Sequence, residues 1–374
     1  MSAVKTNRRR IHLIAAARPN FMKVAPLYHA LLREAWCEPH IVHTGQHYDA
    51  NMSDAFFRDL GLPDPAYHLE VGSGTHAEQT GRTMMAYEHV CMQERPDAIV
   101  VVGDVNATAA CAMVGTKQWI PVVHLEAGLR SRDRRMPEEI NRLVTDSIAD
   151  LLWTPSPDAD ANLRAEGVDP DRIERVGNIM IDSFEMMRAR IDGAAVADRL
   201  GLNGSPYAMV TLHRPSNVDQ AETLEELVSM LEQITAQLEV VFAVHPRTRK
   251  RLAEFGLERR IFEHPRIRAT EPLGYVEFMN LVRGCAIAIT DSGGVQEETT
   301  YLGIPCATVR ENTERPITTT EGTNRLARPA DLPRFVREAL DGSWSKGRRP
   351  EYWDGHTAER AAASLRRFLE RRAG

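Results

Sequence analysis

The sequence predicts an α/β protein of two Rossmann-like domains, each a doubly wound parallel sheet, with an interdomain cleft. Short, continuous Val/Ile-rich runs recur along the chain, the pattern of strands covered on both faces. The segments between them are long enough for crossover helices. The series pauses at a polar stretch, residues 192–206, and then begins again. With 374 residues, 43% apolar and 26% charged, the chain has ordinary globular composition and enough length for two separate cores.

The first run, "IHLIAAA" (11–17), follows a basic stretch and superficially resembles a secretory leader. It is short and contains His12, so it reads as the first strand. "HIVHTG" (40–45), "DAIVVVGD" (97–104), "PVVHLEAG" (121–128) and "LLWTPS" (151–156) continue the first set. The second set is "YAMVTLHR" (207–214), "EVVFAVHP" (239–246), "CAIAITD" (285–291) and "IPCATV" (304–309). Within it, Leu224, Leu227, Val228, Leu231 and Ile234 recur at the spacing of one helical face. The periodic tail "AERAAASLRRFLERR" (358–372) predicts a closing helix. The expected domains are 1–178, with a helix at 356–374 packing back onto it, and 179–355.

A formal net charge of −6 gives no global positive field for nucleic acid or an anionic membrane surface, so an anionic ligand must be held locally. No stretch approaches the roughly 20 apolar residues of a membrane span. The five cysteines stand apart without a CxxC pair and read as small core residues in a reducing compartment, so a cytoplasmic protein is expected. P-loop, HExxH and GxSxG patterns are absent. "GSGTHA" (72–77) fits a dinucleotide fingerprint, yet it follows a poor buried strand and opens neither half of the chain.

In open α/β sheets, ligands sit beyond the carboxyl ends of strands, so the ends of the apolar runs are the places to search. Arg18 and Lys23 follow the first run in "ARPNFMK", which a solvated turn punctuated by Pro19 and Asn20 explains equally well. Asp104 and Glu126 end neighbouring apolar runs, where desolvation raises a carboxyl pKa and suits proton transfer; Asp104 also reads as a helix cap. Four arginines (Arg130, Arg132, Arg134, Arg135) form either a solvated loop or an anion clamp. Pro137, Glu138 and Glu139 suit a first helical turn on dipole grounds alone. His213 ends the first run of the second set. In "ITDSGGVQEET", Ser292, Gly293 and Gly294 open a helix whose free N–H groups suit phosphate, although a tight turn also requires glycine.

Taken together, "ARPNFMKVAPL", "HTGQHYD", "VVGDVNAT", "HLEAGLRS", "MPEEINR", "VGNIMID", "TLHRPSN", "DSGGVQEE" and "ENTERPITTTEGTNRL" resemble the UDP-N-acetylglucosamine 2-epimerase family, whose fold is GT-B-like. The resemblance implies a non-hydrolysing enzyme that interconverts UDP-GlcNAc and UDP-ManNAc through a 2-acetamidoglucal, with no metal or nicotinamide. It places catalysis on Asp104, Glu126 and Glu138 with His213, and Arg142 nearby. It makes residues 179–355 the UDP-binding domain: Ser292, Gly293 and Gly294 hold the diphosphate, Glu298 the ribose and Phe278 the uracil, with the backbone near Leu273 assisting. Arg18, Lys23, His213 and Arg315 surround phosphates and sugar. Gln46 and His47 match part of a second, activating site, although Asp49 stands where the family often has glutamine. A UDP-sugar is the expected partner, with no nucleic acid or membrane, and a homodimer is expected. Alternatives are a 2-epimerase of UDP-2,3-diacetamido sugars or their uronic acids, a UDP-dependent glycosyltransferase, and a sensor that binds without turnover.

Overall fold

The computed structural model describes residues 8–16, 18–45, 59–202 and 204–373, so Gln46 and His47 lie outside the described residues. The chain divides into two compact units, Met1–Met186 with Glu351–Gly374, and Met187–Pro350.

The first unit is built on seven strands: β1 (Arg9–Ala15), β2 (Cys37–His43), β3 (Tyr67–His68), β4 (Ala98–Val102), β5 (Val122–Leu125), β6 (Leu151–Thr154) and β7 (Ile173–Arg175). Their order is β3-β2-β1-β4-β5-β6-β7, every neighbouring pair parallel. All residues of β4, β5 and β6 are buried, as strands covered on both faces must be. Side chains alternate between faces, so Ile99 and Val101 pack with Tyr87, Val90, Cys111 and Val114 on one side. Val102 lies opposite Leu125 in register, so Gly103–Asp104 and Glu126 leave the sheet as neighbours.

The segment "ARPN" is not a solvated turn. It opens helix Arg18–Leu32, where proline is tolerated because first-turn amides have no intrahelical acceptor. Asn20 is buried there and donates Nδ2 to the Val102 carbonyl at 3.0 Å. "GSGTHA" also has a structural use: Thr75 caps helix His76–Gln93, its Oγ1 accepting from the Glu78 amide while Glu78 accepts from the Thr75 amide.

Helix Thr357–Ala373 belongs to the same unit, although it begins 203 residues after the end of β6. Ser364 links the buried Trp153 indole, at 2.8 Å, to Glu174 of β7, at 2.6 Å. The Trp353 indole donates to the Pro155 carbonyl. Asp182 accepts from the first-turn amides of Thr357 and Ala358; burial pushes its carboxyl up to about 6 despite these bonds.

The second unit has β8 (Tyr207–Thr211), β9 (Glu239–Ala243), β10 (Ile267–Thr270), β11 (Ile287–Thr290), β12 (Cys306–Thr308) and β13 (Asn324–Leu326). They form a six-stranded parallel sheet in the order β10-β9-β8-β11-β12-β13. Helix Ala221–Ile234 buries the five apolar residues whose spacing predicts its face, and they join Val210, Phe242 and Ile289 in the core. Thr211 lies opposite Thr290, so His213 and Asp291 emerge side by side where the strand order reverses.

Candidate active site

In the first unit, two acids stand at adjacent strand ends, each against a cation. Glu126 follows β5 with φ +74°, a region rare for residues other than glycine and worth about 1–3 kcal/mol of strain, of the kind that collects at functional sites. Its buried carboxylate pairs with Lys23 Nζ, which helix Arg18–Leu32 delivers. Gly103, at φ +69°, lies under this pair: a Cβ there would come within 3.3 Å of Glu126 Oε2 and 3.4 Å of Lys23 Nζ. Arg18 is the first residue of the same helix.

Asp104 is not a helix cap. The cap position of helix Asn106–Lys117 is Val105, without a side-chain bond, because the Asp104 carboxylate instead faces Arg142. Nor is Asp104 desolvated, its side chain being 32% exposed. Its carbonyl accepts from Asn141 Nδ2 at 2.9 Å.

Arg142 lies on helix Pro137–Ile148 and also binds Glu139, at 2.7 and 3.0 Å. Glu139 further accepts from the Ser131 and Arg132 amides; burial would raise its carboxyl, but these donors and Arg142 hold it below the usual range. Glu138, one residue earlier, is exposed, so the two glutamates divide cleanly into a free-standing acid and a structural one.

The arginine run is no anion clamp. Arg130 is buried against Asp146 (2.7 Å) and Glu166 (2.6 Å), Arg132 lies 3.7 Å from Glu166, Arg135 pairs with Asp133, and Arg134 is exposed. Protein carboxylates already claim most of that charge.

In the second unit, fully buried Asp291 organises the end of β8. It accepts from the amides of His213 and Arg214, from Asn217 Nδ2, and lies 3.1 Å from His213 Nδ1. Burial would raise this acid, but His213 and the other donors bring it below its ordinary value. Ser292 occupies the cap position of helix Gly293–Leu302 without using its hydroxyl as a cap, which leaves the first-turn amides available to an anion. A Cβ on Gly293 would meet Arg315 Nη1 at 2.7 Å and Glu314 Oε1 at 2.8 Å, so a larger residue there would push that ion pair aside. Arg315 also pairs with Glu297 at 2.8 Å. Glu314 sits between Arg310 and Arg315, which hold its carboxyl well below the usual range although burial opposes them.

Glu298 accepts from the Tyr275 hydroxyl at 2.7 Å, joining helix Gly293–Leu302 to helix Tyr275–Gly284. Leu273 immediately precedes the Gly274 cap of that second helix, and Phe278, half-buried, lies in its first turn. The structure thus places Ser292–Gly294 and Arg315 at the end of β11, Glu298 further along helix Gly293–Leu302 against Tyr275, and Lys23, Asp104, Glu126 and Arg142 around the adjacent ends of β4 and β5.

Residues that strand-end reasoning missed are the holders: Asn20, His124, Glu139, Asp146, Tyr275 and Asp291. Asp291 alone carried a usable signal, as the polar residue directly after a buried run. Among the described residues, no group of three or more His, Cys, Asp or Glu could hold a metal ion, and no helix is long and apolar enough to cross a membrane.

Two open parallel sheets, each carrying polar groups at its carboxyl edge, define an α/β protein of the GT-B-like class. The profile described as UDP-N-acetylglucosamine 2-epimerase matches residues 29–366, and the chain belongs to that family. A UDP-N-acetylglucosamine 2-epimerase of Methanocaldococcus jannaschii is 42% identical over 329 residues, covering 85% of this chain and 88% of the relative. A UDP-2,3-diacetamido-2,3-dideoxy-D-glucuronate 2-epimerase of Pseudomonas aeruginosa is 39% identical over 321 residues, with the same coverages. The crystal structure of the M. jannaschii enzyme in complex with UDP-GlcNAc and UDP superposes with a TM-score of 0.86 at 39% identity, covering 96% of this chain and 99% of that one.

Proposed function

We propose that this chain is a non-hydrolysing UDP-sugar 2-epimerase that interconverts UDP-GlcNAc and UDP-ManNAc. The observation that carries the reading is the pair of acids at adjacent strand ends, Asp104 and Glu126, each against a cation, in a member of this family. The C2 proton of such a sugar has no neighbouring carbonyl to acidify it, so direct abstraction and return is too costly. Elimination solves this. A base takes the C2 proton, the C2–H pair becomes the C1=C2 bond of a 2-acetamidoglucal, and the C1–O pair leaves with UDP. UDP oxygen then re-adds to C1 while an acid protonates C2 on the opposite face.

Asp104, Glu126 and Glu138 are the acids and bases, with Arg142 paired to Asp104 and Lys23 to Glu126. Ser292 to Gly294, Arg315 and His213 neutralise the departing diphosphate, with Arg18 contributing a further cation. Glu298 takes the ribose hydroxyls, and Phe278 with the Leu273 backbone takes the uracil.

Turnover in deuterium oxide should place deuterium at C2 of the product, and Glu126→Gln should lower kcat by about two to four orders of magnitude. Unlabelled product, or a fully active variant, would overturn the reading. The similarly distant P. aeruginosa relative favours a second reading in which C3 and C6 of the sugar carry other substituents. A product survey by NMR across UDP-sugars separates the two, and acceptor-dependent transfer would mark a glycosyltransferase instead.

A homodimer is part of the proposal. Met85 and Met92, seven residues apart on one helical face, are 68% and 76% exposed, and Trp119 is 88% exposed. Large apolar side chains so placed are costly in water and suit a second copy. Light scattering should return twice the mass of one chain.

A further inference from the structure

We propose that His124 and Asp146 are positioning residues for this chemistry, acting through the Gly103 carbonyl on the turn that carries Asp104; the proposal rests on the epimerase reading above. His124 is the third residue of β5, and Asp146 lies on helix Pro137–Ile148; both are fully buried, so neither touches a substrate.

The geometry fixes the orientation of the ring. His124 Nε2 lies 2.7 Å from the Gly103 carbonyl, which can only accept, so Nε2 carries a hydrogen. His124 Nδ1 lies 2.6 Å from Asp146 Oδ1. The other oxygen of Asp146 already receives the Gly128 amide at 3.0 Å and Arg130 at 2.7 Å, which marks the group as a carboxylate. The Nε2–H donor is thus aimed at a peptide oxygen, with a buried carboxylate backing the other ring nitrogen.

That ring ties three separate elements together: β5, helix Pro137–Ile148 and the turn after β4. Gly103 is one peptide before Asp104, and the neighbouring carbonyls are also tethered. Val102 accepts from Asn20 at 3.0 Å and Thr108 at 2.9 Å, and Asp104 accepts from Asn141 at 2.9 Å. The His124 bond is the shortest of this set, at 2.7 Å, and the carboxylate on the far side of the ring polarises it. Asp146 adds a second action, because it also holds Gly128 and Arg130 in the loop that follows Glu126. One buried carboxylate thus sets the backbone at both acid-bearing strand ends.

Two substitutions separate positioning from space filling. The Nε2 of His124→Gln can still donate to the Gly103 carbonyl, whereas His124→Phe fills the volume without a donor. The Phe variant should lose about 100-fold in kcat, as misplaced catalytic groups do. The Gln variant should stay within about tenfold of the parent chain, because its amide still donates to the Gly103 carbonyl. The dissociation constant of UDP, held chiefly by Ser292 to Gly294, Glu298 and Arg315 of the other unit, should be the same in all three.

Nitrogen-15 spectra of histidine-labelled protein should contain a ring whose Nε2 is protonated and hydrogen-bonded, absent from His124→Gln. Equal losses in the two variants, full activity in the Phe variant, or a His124 ring with a bare Nε2 would each overturn the proposal. A parent chain that epimerises no UDP-sugar would overturn the functional reading, while the ring spectrum separately decides the clamp. Should the Phe variant not fold, the Gln variant and the ring spectrum still decide.

Discussion

Glu297 and Glu298 are adjacent in sequence and opposite in environment. Both are buried, but Glu297 lies against Arg315 whereas Glu298 faces the Tyr275 hydroxyl. Burial above all pushes the Glu298 carboxyl up to about 8; the Tyr275 bond opposes the shift and Glu297 adds to it. The folded chain therefore keeps this proton up to about pH 8, while the unfolded chain releases it near 4.5. Between those values the unfolded state binds fewer protons, so stability falls as pH rises. Glu298→Gln removes this term. Its melting temperature relative to the parent chain should climb from pH 5 to pH 8 and level off above; a difference independent of pH would contradict the assignment.

Helix Pro137–Ile148 buries a polar face. Glu139, Arg142 and Asp146 follow one another at helical spacing, all at or below 2% exposure, and bind the loop and turn that carry the acids. Glu139→Ala would leave Arg142 short of a partner and the Ser131 and Arg132 amides without their acceptor. Breaking such a buried pair costs about 3–5 kcal/mol, which urea unfolding would register as a lower midpoint. The same helix shows where the sequence stops being legible. Charged residues at i, i+3 and i+7 ordinarily mark the solvated side of a helix, so nothing in "PEEINRLVTDSI" distinguishes the buried side from the wet one. Strands divide likewise. Those covered on both faces announce themselves as apolar runs, while β3, β7, β10 and β13 stand at sheet edges, are short and partly exposed, and carry no such pattern. Asp104, Glu126, His213 and Ser292 were readable as strand-end polar groups because each lies within two residues of a legible strand.

Across the whole molecule, the two sheets repeat one winding. The order β3-β2-β1-β4-β5-β6 in the first unit reappears as β10-β9-β8-β11-β12-β13 in the second, although the sequence shows no internal repeat. Topology is preserved by handed crossovers and burial, which many sequences satisfy. Assembly belongs to the same scale: Met85→Glu combined with Met92→Glu should return a single-chain mass by light scattering if those side chains meet a second copy, and an unchanged mass would locate the contact elsewhere. The return of residues 351–374 to the first unit has a further consequence. On the ribosome, every residue of the second unit has been made before helix Thr357–Ala373 exists. The unit encoded first must wait, its Trp153 indole lacking the Ser364 hydroxyl, while the unit encoded within it is free to close its own core. The order of synthesis and the order of completion therefore run in opposite directions along this chain.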